Sequence, residues 1–340
     1  MSLSRMNEGC NSFGRMIPLI FSLITRIKYD QLSSIAEIID ALPRLTAVTK
    51  LHVIYDYNGA GYDDPLILDL IKNVWHVFGD RLRFLQVRVA FDNLELLLPP
   101  SLHLPYLEVL RIDADGSNTI PAIGYEPNIS SMIKSHSSSL RDVSFTANNI
   151  AVDLRPIFRS LQDVHRLQAI HLSFPFGPFV PSPFPAHDML YSCRHRLESL
   201  SLNFGTYRRE HAFRSFSLFR EDWCAVDLPH LRELKIDPPI MFFGQEFVDY
   251  IHQFAPSLIS LSINPNLRLR YHEAERLSEI FPDFLSLKNL SICIRYLCPG
   301  ILALLAQTLP RLQTLHLWYS YISVAEEGML NDPELPRVVS

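Results

Sequence analysis

Side chains that could do chemistry are scattered along this chain of 340 residues. His272-Glu273-Ala274-Glu275 sets a histidine beside two carboxylates. It lacks the second histidine one helical turn on that would let a helix face hold zinc. Asn58-Gly59-Ala60-Gly61 has two glycines without the third, and no Lys-Ser or Lys-Thr follows to cradle a phosphate; it reads as a turn between strand and helix. Cys10, Cys193, Cys224, Cys293 and Cys298 make an odd set with no Cys-x-x-Cys spacing. Neither a disulfide framework nor a zinc ribbon is indicated, and reduced thiols in a cytoplasmic or nuclear protein are expected. Cys293 and Cys298 read as packing residues rather than a metal pair. No catalytic residue, metal site or cofactor is assigned, and no enzyme is expected.

The composition, 48% hydrophobic and 20% charged, is that of a globular chain with enough apolar material for a large core. A net charge of −5 argues against a nucleic-acid binder that works through overall charge. The apolar stretch Met16 to Ile24 is broken by Pro18, lacks a small-x-small cleavage site and is too short to span a bilayer. It is expected to be the first buried element, and no membrane partner is expected. Asn128-Ile129-Ser130 and Asn289-Leu290-Ser291 match the glycosylation pattern, which carries weight only in a secreted chain.

The elements that must position any site come from one phrase. Leu228-Pro229-His230-Leu231-Arg232-Glu233-Leu234-Lys235-Ile236-Asp237 recurs in near copies at residues 104–113 and 309–317. Its core, apolar-x-x-apolar-x-apolar, is found at Ile24/Ile27/Tyr29, Val48/Leu51/Val53, Leu82/Leu85/Val87, Leu107/Leu110/Ile112, Leu140/Val143/Phe145 and Leu167/Ile170/Leu172. It continues at Leu197/Leu200/Leu202, Leu231/Leu234/Ile236, Leu258/Leu261/Ile263, Leu287/Leu290/Ile292 and Leu312/Leu315/Leu317. Repetition about every 29 residues is the mark of a stacked-repeat solenoid. Between the copies, sets such as Leu154/Ile157/Phe158/Leu161/Val164 and Phe247/Tyr250/Ile251/Phe254 fall at helical steps. Asp64 and Pro65 mark one helix start. Short strands alternating with helices predict a parallel sheet whose strands line the concave face of a curved stack, with helices outside.

The Leu-Pro-x-Leu-x-x-Leu-x-Ile phrase with helical returns resembles the leucine-rich repeat in its longer, ribonuclease-inhibitor-like form. Phrases such as Ala255-Pro256-Ser257-Leu258-Ile259-Ser260-Leu261-Ser262-Ile263 resemble the repeat regions of fungal F-box proteins. The resemblance implies an α/β leucine-rich-repeat solenoid, a curved horseshoe acting as the substrate-recognition part of a cullin-type ubiquitin ligase. Its partners would be a protein ligand and, by resemblance only, the ligase adaptor. Residues 1–15 are expected to be a flexible segment, 16–322 about eleven irregular repeats, and 323–340 a tail. The F-box itself, with its Leu-Pro-x-Glu-type opening, is not found before the first repeat. The alternatives are a free-standing binding solenoid and, from a different class, an enzyme on a repeat scaffold.

If motif positions one, four and six face the core, positions three, five and seven face the concave side. Position five then holds no apolar residue in any copy, which fixes the frame. The candidate partner-binding residues are Arg26, Lys28, Lys50, His52, Arg88 and Arg111 in a cationic first third. His171, Lys235, His316 and Trp318 follow. Such a surface suits an acidic or phosphorylated peptide, since guanidinium groups pair bidentately with oxyanions. The proline- and phenylalanine-rich stretch 173–185 is expected to be an extended loop, and 207–220 a charged insertion.

Overall fold

The computed structural model describes residues 21–27, 35–55, 65–90, 94–99, 101–115, 126–148, 155–173, 186–204, 219, 222–237, 244–263 and 268–322. The stretches 1–20, 174–185, 205–218 and 323–340, together with Lys28 and Asp64, lie outside the described residues.

Each copy of the phrase forms one strand. The strands are β1 (Phe21–Ile27), β2 (Val48–Tyr55), β3 (Phe84–Ala90), β4 (Val109–Asp115), β5 (Asp142–Asn148), β6 (Ala169–Ser173), β7 (Ser199–Asn203), β8 (Glu233–Asp237), β9 (Ser260–Ile263), β10 (Asn289–Leu297) and β11 (Thr314–Ile322). They lie in one eleven-stranded sheet in strict chain order, each pair parallel. Parallel neighbours require a return crossover, and helices supply most of them. The helices are α1 (Ile35–Ala41), α2 (Pro65–Phe78), α3 (Leu94–Leu97), α4 (Glu126–Ser135), α5 (Arg155–Gln162), α6 (His187–Cys193), α7 (Gln245–His252), α8 (Tyr271–Ile280) and α9 (Pro299–Thr308). Between β7 and β8 a 3-10 turn, Asp222–Ala225, takes the place of a helix among the described residues. The fold is a leucine-rich-repeat solenoid. Helices are wider than strands, so the strand side is the concave one.

The register is the one the motif implies. Leu51, Leu85, Leu110, Val143, Ile170, Leu200, Leu234, Leu261, Leu290 and Leu315 face one another strand by strand at position four. From Leu51 to Leu290 these side chains are at most 2% exposed. Each buried leucine contributes on the order of 2 kcal/mol. The first repeat departs from the expected frame: Leu23, not Ile27, sits opposite Leu51, and Arg26 faces Ile54 rather than Lys50. Position five of β1 is then Ile24, so the absence of apolar residues there holds only from β2 onward. The cause is a nearly continuous apolar run, Ile20-Phe21-x-Leu23-Ile24, which satisfies more than one frame.

A second bond set ties the strand entrances together. The position-two carbonyls of Arg83, Glu108, Arg141, Gln168, Glu198, Arg232, Ile259 and Lys288 each accept two backbone N–H groups from the next repeat, at 2.8–3.1 Å. The described residues between β7 and β8 pack through aromatic rings. Phe219 packs edge-on to Phe247 at 5.1 Å and tilted against Tyr250 at 5.5 Å, and Trp223 meets Tyr250 at 5.2 Å. Phe219, from the stretch expected to be a charged insertion, is therefore core. Elsewhere, Trp75 of α2 donates from Nε1 to the Leu97 carbonyl at 3.0 Å.

His136, 1% exposed, links two repeats. Its Nδ1 donates to the Met132 carbonyl at 2.7 Å and its Nε2 accepts from the Leu104 N–H at 2.8 Å. Burial lowers its pKa, against a smaller upward pull from the Met132 bond, and nearby His103 lowers it further. The unfolded chain therefore binds more protons below about pH 6.5, and this contribution to stability is lost as pH falls. The melting temperature should drop between about pH 7 and pH 5, and drop less for His136→Gln. Equal drops would show that the imidazole does not carry the effect. Leu234→Asp, which puts an unpaired charge at a 1% exposed site, should cost about 4 kcal/mol in denaturant unfolding and weaken protection of neighbouring strand amides.

Candidate interaction surface

Positions three, five and seven of the strands form the concave floor. Alternation in an extended chain sends these side chains opposite to the buried leucines. From β2 to β10, every position-five side chain is half-buried or exposed. Position seven is less uniform: Asp237 and Cys293 are 3% and 4% exposed, against the expected concave exposure. At Cys293 the cause is visible. Leu269 forms a bridge to Ile294, with its N–H donating to the Cys293 carbonyl, and lays an extra segment along β10. Burial raises the pKa of the Cys293 thiol, partly offset by Arg268.

The floor's charges are organised sideways, between strands about 4.8 Å apart. His52 donates from Nδ1 to Gln86 Oε1 at 2.9 Å, and Gln86 Nε2 donates to Asp113 Oδ2 at 3.0 Å. The ring of Phe84, at position three, gathers three of the expected cationic or polar residues. His52 lies 4.8 Å from it, Arg111 5.4 Å and Lys50 5.9 Å. Arg111 also donates from Nη2 to Asp142 Oδ2 at 3.0 Å, and Asp142 Oδ1 lies 3.6 Å from His171 Nε2. The cationic patch is therefore partly neutralised from within: Arg111 is committed to Asp142.

The other expected residues separate into groups. Arg88 is exposed on β3 and has interactions of its own. Lys235 is exposed on β8. His316 and Trp318 lie exposed on β11, with Trp318 at 56%. Arg26 lies on β1, and Lys28 is outside the described residues.

Two sequence candidates for chemistry have structural work. Glu273 accepts the Arg270 N–H at 2.7 Å through Oε2, closing a capping box at the start of α8. Cys298 is 1% exposed at the start of α9. Among the described residues, no group of three or more His, Cys, Asp or Glu is placed to hold a metal, and no helix is long and apolar enough to cross a membrane.

A surface that the positions three, five and seven did not include lies at the strand entrances. A groove of about 480 Å³ there is lined by Arg141, His165, Arg166, Gln168, His195, Arg196, Glu198, His230 and Arg232. The signal for it is in the sequence: His165-Arg166-Leu167 recurs as His195-Arg196-Leu197, with His230-Leu231-Arg232 one repeat on.

No protein-family model and no curated protein matches the chain. Among solved structures it is similar to TLR13 in a TLR13–ssRNA13 complex, at 18% identity and a TM-score of 0.42, over 84% of this chain and 35% of that one. It is also similar to a chain of the Rad7–Elc1 complex from yeast, at 12% identity and a TM-score of 0.39, over 88% and 86% of the two chains. The chain thus spans about a third of the TLR13 chain's length.

Burial is the largest influence on His171 and lowers its pKa, while Asp142 raises it and Arg111 lowers it. Asp142→Asn should therefore lower the His171 pKa further in an NMR titration and leave Arg111 without its carboxylate. A His171 titration unmoved by the change would mean that the two groups do not interact.

Proposed function

We propose that this chain is a non-enzymatic interaction solenoid of the cytoplasm or nucleus, holding a protein or peptide against its strand face. The observation that carries this reading is a row of hydroxyls. Ser144, Ser201, Ser262 and Ser291 occupy position five on β5, β7, β9 and β10, half-buried, and none makes a side-chain hydrogen bond within the described residues. A rigid floor whose hydroxyls are free to donate and accept suits an extended peptide backbone, and Lys50 and Arg88 favour an acidic or phosphorylated one. Larger flanking side chains would let that floor choose among partners.

The finer reading rests on the repeat phrases. The partner is then a client of a cullin-type ubiquitin ligase, and this chain is the part that recognises it. The competing reading is a free-standing binding solenoid. Purification of the chain from its source cells with its bound proteins separates the two. Cullin and adaptor among them would support the ligase role, and clients without adaptor would remove it. For the face itself, Ser201→Trp should reduce client binding at least about tenfold by filling the floor, with the melting temperature little changed. Undiminished binding by a folded Ser201→Trp protein would move the partner off the strand face.

A further inference from the structure

The groove at the strand entrances is a second surface, independent of the strand face. Its frame is the array of position-two residues, whose carbonyls each take two N–H groups from the following repeat. That bonding fixes the backbone of Arg141, Gln168, Glu198 and Arg232 at strand spacing while leaving their side chains out of the core. The turns that lead into β6, β7 and β8 add His165 and Arg166, His195 and Arg196, and His230.

The charge in this groove is compensated only in part. Arg141, Arg166 and Arg232 are exposed and make no ion pair or side-chain hydrogen bond among the described residues. Arg196 donates to the Ser192 carbonyl at 3.1 Å, and His195 accepts from Arg194 at 3.0 Å. Four guanidinium groups face one carboxylate, Glu198, so the lining carries a charge of +3 on a chain whose net charge is −5. The same array two repeats earlier is different: Arg83 and Glu108 pair with each other at 3.4 Å. Position two is thus self-neutralised at β3–β4 and left cationic at β5–β8.

We propose that this groove binds a phosphorylated peptide segment, with Arg141, Arg166 and Arg232 holding the phosphate oxygens. A phosphate group carries about −1.5 to −2 charge and three strong acceptors at neutral pH, matching several guanidinium forks that no protein carboxylate occupies. Histidines alongside add further donors. The lining contains no Phe, Tyr, Trp or aliphatic side chain, and its only rings are the imidazoles of His165, His195 and His230. A single-stranded nucleic acid would therefore find no large aromatic platform for its bases. The volume of about 480 Å³ suits a few residues of extended chain, held by charge and hydrogen bonds.

The test is fluorescence anisotropy on the full chain. The probes are a short labelled peptide carrying two phosphoserines two residues apart, its unphosphorylated twin, and an oligouridylate of similar length. The phosphopeptide should bind at least about tenfold tighter than its twin, and more weakly as salt rises. The combined variant Arg141→Gln/Arg166→Gln/Arg232→Gln should lose that preference. Arg166→Gln alone, whose backbone makes none of the inter-repeat bonds, should weaken phosphopeptide binding severalfold. Ser201→Trp, on the strand face, should leave it unchanged. Equal binding of the twin, full binding by a folded Arg166→Gln protein, or tighter binding of oligouridylate would each overturn the proposal.

Discussion

The bond on which this structure depends most is the carbonyl at motif position two, shared between two N–H groups of the next repeat. It closes the turn into each strand and sets how far the next repeat is displaced. With that displacement set, positions four and six have one place to go, against the same positions of the neighbouring strand. The buried leucine columns are as much a consequence of this bond as a cause of the fold. A solenoid has no long-range closure to correct an error, so each step must be specified locally. The step from Arg83 to Glu108 and that from Lys288 to Gln313 are made by the same pair of bonds, although the chain between strands differs in length and composition.

Stacking like positions on one another also shapes the electrostatics. A side chain on the strand face meets its counterpart one strand away sooner than any neighbour along its own strand. Charges therefore pair laterally, as Arg111 does with Asp142, and polar groups form lateral chains, as His52, Gln86 and Asp113 do. Counting cations along the sequence overstates the free charge of such a face, because half of each pair sits in a different repeat. Where a charge finds no lateral partner, it remains exposed. Arg141, Arg166 and Arg232 make no ion pair among the described residues.

Much of the fold was legible because three of the motif's positions are apolar for one reason, burial in a shared core, and that reason repeats. The frame failed in the first repeat, where Phe21, Leu23 and Ile24 give apolar residues on both faces and alternation no longer discriminates. The concave residues were legible by parity, but their pairing was not, since Asp142 and Arg111 lie far apart in sequence. Burial of Asp237 and Cys293 was not legible either; at Cys293 it depends on Leu269, which lies outside the motif and reaches β10 from the preceding connection. The entrance groove escaped because position two, half-buried or exposed from β2 to β11, is set by no core requirement that would mark it. Only the recurrence of His-Arg before the leading leucine marks it.

Trp75, Trp223 and Trp318 stand near the first strands, in the middle and at the last strand of this one-dimensional stack. Their surroundings differ: Trp75 is half-buried and bonded to Leu97, Trp223 is 1% exposed among aromatic rings, and Trp318 is 56% exposed. The protein thus carries three intrinsic optical reporters at known heights along its axis. Whether it melts as one unit or in sections is recorded in the order of their emission changes. A solenoid that lost its early repeats first would shift Trp75 while Trp223 still glowed blue, with no label introduced.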